Sequence, residues 1–352
     1  MEKIIYISTR HSPLALWQAE TTQSLLSKIN ITSVLNKVVT TGDKIQHSQL
    51  ADVQLIESET GHHLSTGKGL FIKEVQESIL VKQSHLAVHS MKDLPIEQTE
   101  GLTIAAVLPR ANPRDVLILS PNVIAELKFK ASFLNEFQFE ELKDMLLSSQ
   151  TFMTHPIGTT SSRRQFLMRE TFSKNLNLNI LRGNVDSRLK KVQRNEFAAI
   201  LLAQAGLERL SLFDSKYMIP LPINSFVPSA AQGVVALECS TGHSELLEVL
   251  QNLNCLESCF ASALERTVLY FLDGDCNSSI GAHWNENTMH IVYKKNEVEK
   301  FLEVKFDRNT VDNVKKELLS KEKTYTTLFM ELRESVLAKQ IKKDLIQAKL
   351  CS

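Results

Sequence analysis

The sequence predicts an α/β fold of more than one domain. Short apolar runs of strand length alternate with helix-compatible stretches, the order that goes with a mostly parallel sheet. Several of these runs end in polar turns bearing arginine or lysine, at the strand ends where open α/β sheets bind their ligands. Past about Asn252 the pattern changes to one long helix and then alternating strands, which marks a smaller unit at the C-terminal end.

With 352 residues, 43% hydrophobic and 23% charged, the chain can bury two or three cores. Lys+Arg and Asp+Glu both number 40. No bulk charge therefore draws it to nucleic acid or to an anionic membrane, and anion binding must come from local placement of cations. The first residues run straight into an apolar strand, without the h-region and cleavage site of a signal peptide. No apolar run nears the roughly 18 residues that span a bilayer. Five cysteines, an odd number without C-x-x-C spacing, argue against a disulfide framework or zinc site and for a reducing cytoplasm.

After the first strand, Ser12 is a good N-cap and Pro13 a good first helical residue. Leu14, Trp17, Leu25 and Ile29 can share one face of that helix. Arg10 then sits at a strand-to-helix junction, where free backbone N–H groups favour anions. A second strand spans Ser33 to Thr40. Residues 44–65 are polar and aperiodic and read as a loop; His62 and His63 lack a third ligand at metal spacing, so no metal is expected. A helix follows, with Phe71, Val75 and Ile79 four apart. Lys68 lies between two glycines that allow close backbone approach.

A buried-looking strand, Leu86 to Val88, leads to Lys92-Asp93. That pair can bind an anion and move a proton in one pocket, although taken alone it reads more readily as a surface Lys-Asp pair in a loop. A strand at Leu102 to Val107 precedes the polar, proline-flanked run from Pro109 to Asp115, which looks like a crossing between domains. Val116 to Leu119 starts the next unit, and Glu136 to Leu147 suits an amphipathic helix.

At Gly158 to Gln165, hydroxyls precede a helix whose first turn carries Arg163 and Arg164. Cations there oppose the helix dipole, so the arrangement makes sense around a bound anion. Strands at Leu178–Leu181 and Ala198–Ala203 follow, with Arg182 at a strand end and Arg188 on the next helix. Residues Val227 to Val234 read as a return crossing, and Val234 to Glu238 as a strand rejoining the first unit. In the last part, a helix over Glu257 to Leu272 ends near Gly274. Cys276 then falls in a loop, where a thiolate is an accessible nucleophile. His290–Tyr293 and Phe301–Phe306 alternate like a hairpin.

Together, Thr9 to Gln18, Gly67 to Phe71, Val88 to Asp93, Gly158 to Arg164, Leu181 to Val185, Ala231-Gln232-Gly233 and Gly274-Asp275-Cys276 resemble the porphobilinogen deaminase (hydroxymethylbilane synthase) family, from Ile4 to about Trp284. The resemblance implies two periplasmic-binding-protein-like α/β domains around a cleft, plus a smaller C-terminal α+β domain. The bounds would be 1–108 with 232–250, then 112–228, then 252–352. It further implies head-to-tail condensation of four porphobilinogen units with loss of ammonia, and a dipyrromethane cofactor held by a thioether to Cys276. Asp93 matches the family's catalytic aspartate, beside a cationic azafulvene-like electrophile. Arg10, Lys68, Lys92, Arg163, Arg164, Arg182 and Arg188 match its basic lining. Ser12, Thr159 and Ser161 would donate to cofactor carboxylates, Phe71 would wall the pocket, and Gln232 belongs to the binding set. The small-molecule substrate would be met by a cytoplasmic monomer, with no nucleic acid or membrane partner.

This chain departs from the family's pattern at Asp52, in the longer segments 44–65 and 124–154, and at Asp275, Asn277 and Ser278. Asp275 should disfavour the neighbouring thiolate. A pyrrole- or polycarboxylate-binding protein on the same scaffold, non-catalytic or poorly loaded with cofactor, is the alternative.

Overall fold

The computed structural model describes residues 4–41, 72–127, 138–274, 279–320 and 322–351. Strands β1 (Ile5–Arg10), β2 (Ser33–Val38), β3 (Leu86–Ser90), β4 (Leu102–Val107) and β10 (Val235–Ser240) form a five-stranded sheet in the order β2-β1-β3-β10-β4. A second five-stranded sheet joins β5 (Asp115–Leu119), β6 (Ile157–Gly158), β7 (Leu178–Asn179), β8 (Ala199–Ala203) and β9 (Met218–Pro220) in the order β7-β6-β8-β5-β9. Both follow one plan: second strand, first, third, an inserted strand, fourth.

The sheets are mixed rather than mostly parallel. In each, the inserted strand runs against both neighbours: β10 against β3 and β4, β5 against β8 and β9. Each inserted strand enters its sheet just after the chain has crossed from the other lobe, and so arrives from the opposite end. The remaining pairs, such as β1 with β2 and β3, are parallel, as the strand–helix alternation predicts.

In the first lobe, helices α1 (Pro13–Lys28) and α2 (Lys73–Leu80) cover the sheet, with α9 (Ser244–Gln251) following β10. Ser12 caps α1 by accepting from Ala15 N, and Pro13 starts it. The face of α1 differs from the expected one. Gln18, Ala19, Thr22 and Leu26 are buried and Ile29 is exposed, because the sheet claims the 19/22/26 stripe and leaves Leu14 and Trp17 to face the second lobe. There, α3 (Pro121–Glu126), α4 (Phe139–Ser148), α5 (Gln150–Thr154), α6 (Ser162–Thr171), α7 (Val185–Gln193) and α8 (Gln204–Arg209) surround the second sheet. Strand β7 ends at Asn179, shorter than the predicted run, and Ile180 stands exposed beyond it.

The third unit is a meander of β11 (Ser279–Asn285), β12 (Thr288–Lys295) and β13 (Val298–Lys305), the last two forming the expected hairpin. Helices α10 (Leu256–Phe271), α11 (Arg308–Leu318), α12 (Tyr325–Leu332) and α13 (Val336–Gln347) pack on it. Its core is continuous with Met91, Leu94, Ala230, Ala231 and Val234, so it grips the crossing region directly. Among the described residues, no helix is long and apolar enough to cross a membrane.

Candidate functional site

Strand β3 is buried along Leu86 to His89 and delivers the chain to a tight 3-10 turn, Met91–Asp93. Met91 is fully buried and its N–H bonds Val234 O at 3.0 Å. The exit is held by buried Arg266 of α10, which donates to Leu94 O at 3.0 Å and Pro95 O at 2.6 Å. Gln18 of α1 donates to Ser90 Oγ at 3.0 Å and braces the strand from the other side. With its neighbours so fixed, the turn presents Lys92 partly buried and Asp93 exposed.

Lys92 Nζ donates to Gln232 Oε1 at 3.1 Å. Buried Gln232 in turn donates to Pro113 O at 2.7 Å and to Asp115 Oδ1 at 3.0 Å. Asp115 is the partner of both predicted arginines. Arg164 Nη2 and Nε lie 2.6 and 3.0 Å from Oδ1, and Arg163 Nη2 lies 2.8 Å from Oδ2. The arginines spend further donors on Val227 O and Leu201 O. Arg188 donates Nε to Gly183 O at 2.6 Å. The structure thus brings Lys92, Gln232, Arg163, Arg164 and Arg188 together. It also supplies Asp115, which sequence reading placed in the crossing segment without a role. An acid heading the otherwise apolar run DVLIL was the signal that could have marked it, since a buried carboxylate needs a cation.

The two arginines are therefore less available than their place in a helix's first turn implied. They are buried and anchored by one carboxylate, because two guanidiniums in a dry site need a fixed counter-charge. Burial would raise the Asp115 carboxyl, but Arg163 and Arg164 hold it far below the ordinary range. Burial, then the charge of Arg164, lowers Lys92 to about 8 against the opposing pull of Asp93 and Asp115. Burial and Arg164 likewise lower Arg188 to about 10. Among the described residues, four cations face two carboxylates, which leaves positive charge unspent.

Ser12 Oγ accepts from Ala15 N, Ser161 Oγ from Arg164 N, and buried Thr159 Oγ1 from Ser161 N. Each oxygen accepts a backbone N–H at or beside a helix start, which orients the hydroxyl there. Strand β6 reaches this point only because position 158 is glycine: a Cβ there would lie 2.7 Å from Leu181 Cδ2. Arg10 ends β1 half-buried, and Arg182 is exposed in the turn after β7. Lys68, Phe71, Cys276 and the histidine pair His62-His63 lie outside the described residues. The flanks of Cys276 are placed: Gly274 closes α10 and Ser279 begins β11. Strand β11 is seated against the return crossing through Ala282 N to Pro228 O at 3.0 Å, one residue from the carbonyl that Arg163 holds.

Behind the site lies a second buried hub. Glu265 of α10 takes Arg110 as a two-pronged pair, accepts from Ala231 N at 2.7 Å and from Trp284 N at 2.8 Å, and has His283 Nδ1 at 3.1 Å. Burial opposes its charge, yet Arg110 and then His283 keep its carboxyl at about 2. The hub fixes both crossings to the third unit.

Residues 5–248 match the model of the family described as porphobilinogen deaminase, dipyromethane cofactor binding domain. The porphobilinogen deaminase of Legionella pneumophila (strain Lens) is 37% identical over 277 residues, 78% of each chain. That of Campylobacter hominis is 35% identical over 281 residues, 79% of each. Among solved structures, the VFT2 domain of Bordetella pertussis BvgS has a TM-score of 0.37 at 10% identity, covering 70% of this chain and 84% of that one. That last likeness is too loose to bear on function.

Proposed function

We propose, for a chain that belongs to the porphobilinogen deaminase family, that it is a transferase of tetrapyrrole (porphyrin and heme) biosynthesis, a hydroxymethylbilane synthase, with Asp93 as its acid–base residue. The observation that carries this reading is the pairing of a cation-rich buried network with one exposed carboxylate on the adjacent residue. Porphobilinogen bears an acetate and a propionate on an electron-rich pyrrole. Carboxylates need charge-assisted donors, each worth about 1.5–3 kcal/mol, and Arg binds them two-pronged.

The donor set fits a dipyrromethane, which carries several carboxylates. The unspent positive charge around Lys92, Arg164 and Arg188 and the hydroxyls of Ser12, Thr159 and Ser161 are complementary to it. When bound, that cofactor supplies an electron-rich pyrrole carbon as acceptor for incoming substrate. In this reading Cys276 tethers it, and Arg10, Lys68 and Arg182 extend the cationic lining. Phe71 walls the pocket. Gln232 aims Lys92. Asp93 stabilises positive charge at the substrate pyrrole nitrogen and moves a proton there as ammonia departs, a role worth roughly 10²–10⁴-fold. A binding protein without turnover has no use for an exposed carboxylate among carboxylate-binding cations, which favours the enzyme.

The lobes and third unit follow the bounds 1–108 with 232–250, 112–228 and 252–352, supported by the strands each sheet collects. The place proposed for it is the cytoplasm, as a monomer; the free thiols of Cys239, Cys255, Cys259 and Cys351 support the reducing compartment.

Purified protein given porphobilinogen should consume it with release of ammonia, and its intact mass should exceed that of the bare chain. Asp93→Asn should lose turnover by at least about 10²-fold while keeping that added mass, and Cys276→Ser should show the bare-chain mass. Wild-type protein at bare-chain mass without substrate consumption would sink the reading.

A further inference from the structure

We propose that Arg209 and Trp17 form a clasp between the two lobes, which sets how far the cleft stands open and so positions the carboxylate-binding cations around a lengthening pyrrole chain. This rests on the deaminase reading above. Two helices from opposite lobes meet at the clasp. Helix α1 brings Leu14 and Trp17, and α8 brings Gly206 and Arg209, each pair three residues apart and hence neighbours on one helix face. Arg209 Cζ stands 5.4 Å from the Trp17 ring centroid, within cation–π range. A Cβ on Gly206 would lie 3.5 Å from Leu14 Cδ2, so the helices touch here without excess bulk.

The same guanidinium donates Nη2 to Gly233 O at 2.6 Å, and that carbonyl also accepts from Ala111 N at 3.0 Å. One side chain therefore touches a helix of each lobe and the point where the outgoing and returning crossings are laced together. Gln232, the neighbour of Gly233, is the residue that holds Lys92. A change in lobe angle at Arg209 is transmitted through one peptide to the site.

The strength of the tie suits a contact that opens. Arg110 is bolted to Glu265 by two charged hydrogen bonds, whereas Arg209, among the described residues, is held by one carbonyl and one ring face with only the adjacent charge of Glu208 beside it. The reaction assembles four units in one cleft, and room for each added ring has to come from between the lobes. Of these two ties near the crossings, the clasp is the one that yields first.

The test uses the whole chain carrying Trp284→Phe, which leaves Trp17 as the sole indole of two, with porphobilinogen as probe. Arg209→Met should shift Trp17 emission in substrate-free protein and enlarge the radius of gyration in solution scattering. It should raise KM about fivefold with kcat within about twofold, and Arg209→Lys should fall between it and the parent. Saturating porphobilinogen should change Trp17 emission in the parent and not in Arg209→Met. The clasp is overturned if Arg209→Met leaves emission and scattering radius unaltered, or lowers only the melting temperature while KM stays put. If the parent consumes no porphobilinogen, the deaminase reading fails instead, and the substrate-free emission and scattering still decide the clasp.

Discussion

Arg110 and Glu265 meet fork to fork, Nη1 to Oε1 at 2.6 Å and Nη2 to Oε2 at 3.1 Å, with the carboxylate wholly buried. The pair joins the outgoing crossing to α10, and both oxygens of Glu265 also receive backbone N–H groups. Removing one partner of such a pair strands a buried charge. Glu265→Ala should therefore cost about 3–5 kcal/mol in denaturant unfolding. Its pH dependence follows from the carboxyl lying at about 2 against an ordinary 4.5. The contribution is complete above about pH 4.5 and is lost as pH falls toward 2. Acid titration of wild type should show an unfolding limb in that window, and Glu265→Gln should flatten it.

Lys92 makes the opposite kind of prediction. Its ammonium, lowered to about 8 from 10.5, binds a proton less well in the folded chain than in the unfolded one. Between pH 8 and 10.5 the folded state thus gains stability as pH rises, while its charge for binding carboxylate is lost. Since kcat/KM reports groups of the free enzyme, it should decline on a limb with its midpoint near pH 8. Lys92→Arg, which keeps its charge, should remove that limb; an unchanged profile would discard Lys92 as a carboxylate ligand.

Asp115 couples the two effects. Asp115→Asn removes the anion shared by Arg163 and Arg164 and one of the two carboxylates that raise Lys92. Unfolding should cost about 3–5 kcal/mol less than in wild type. In whatever fraction stays folded, the alkaline limb of kcat/KM should move below pH 8. A limb that stays in place would show that Asp115 does not act on Lys92.

Gly233 tests the crossings. Its φ of +89° lies where L-residues are strained, and a Cβ would fall 2.4 Å from Ala111 O. Gly233→Ala must therefore part the two crossings. A loss of at least about 2 kcal/mol is expected, read as a lower melting temperature together with lower kcat, because Gln232 would move with the peptide.

Much of this arrangement was legible beforehand for identifiable reasons. Ser12 with Pro13 announces a helix start, and the apolar runs at Leu86, Leu102 and Ala198 each became strands. Local signals of that kind survive folding because neighbouring residues determine them. What could not be read was pairing at a distance. Nothing near Arg164 in sequence names Asp115 as its partner, 49 residues away, and nothing near Arg110 names Glu265. The reversal of β5 and β10 was hidden too, since a strand's sequence does not say from which end the chain enters the sheet. That Leu14 and Trp17 face the second lobe was hidden as well, because an apolar stripe declares burial but not which lobe provides it.

The seating of β10 between β3 and β4 has a consequence for how the molecule is made on the ribosome. The slot between β3 and β4 in the first sheet stays empty until Ser240 has been synthesised, whereas the second sheet draws all its strands from the continuous span Asp115–Pro220. The later-encoded lobe can thus mature while the earlier one waits as a half-built sheet with an open groove. Gln232 precedes that missing strand, so Lys92 gains its hydrogen-bond partner only when the nascent chain comes back to fill the gap.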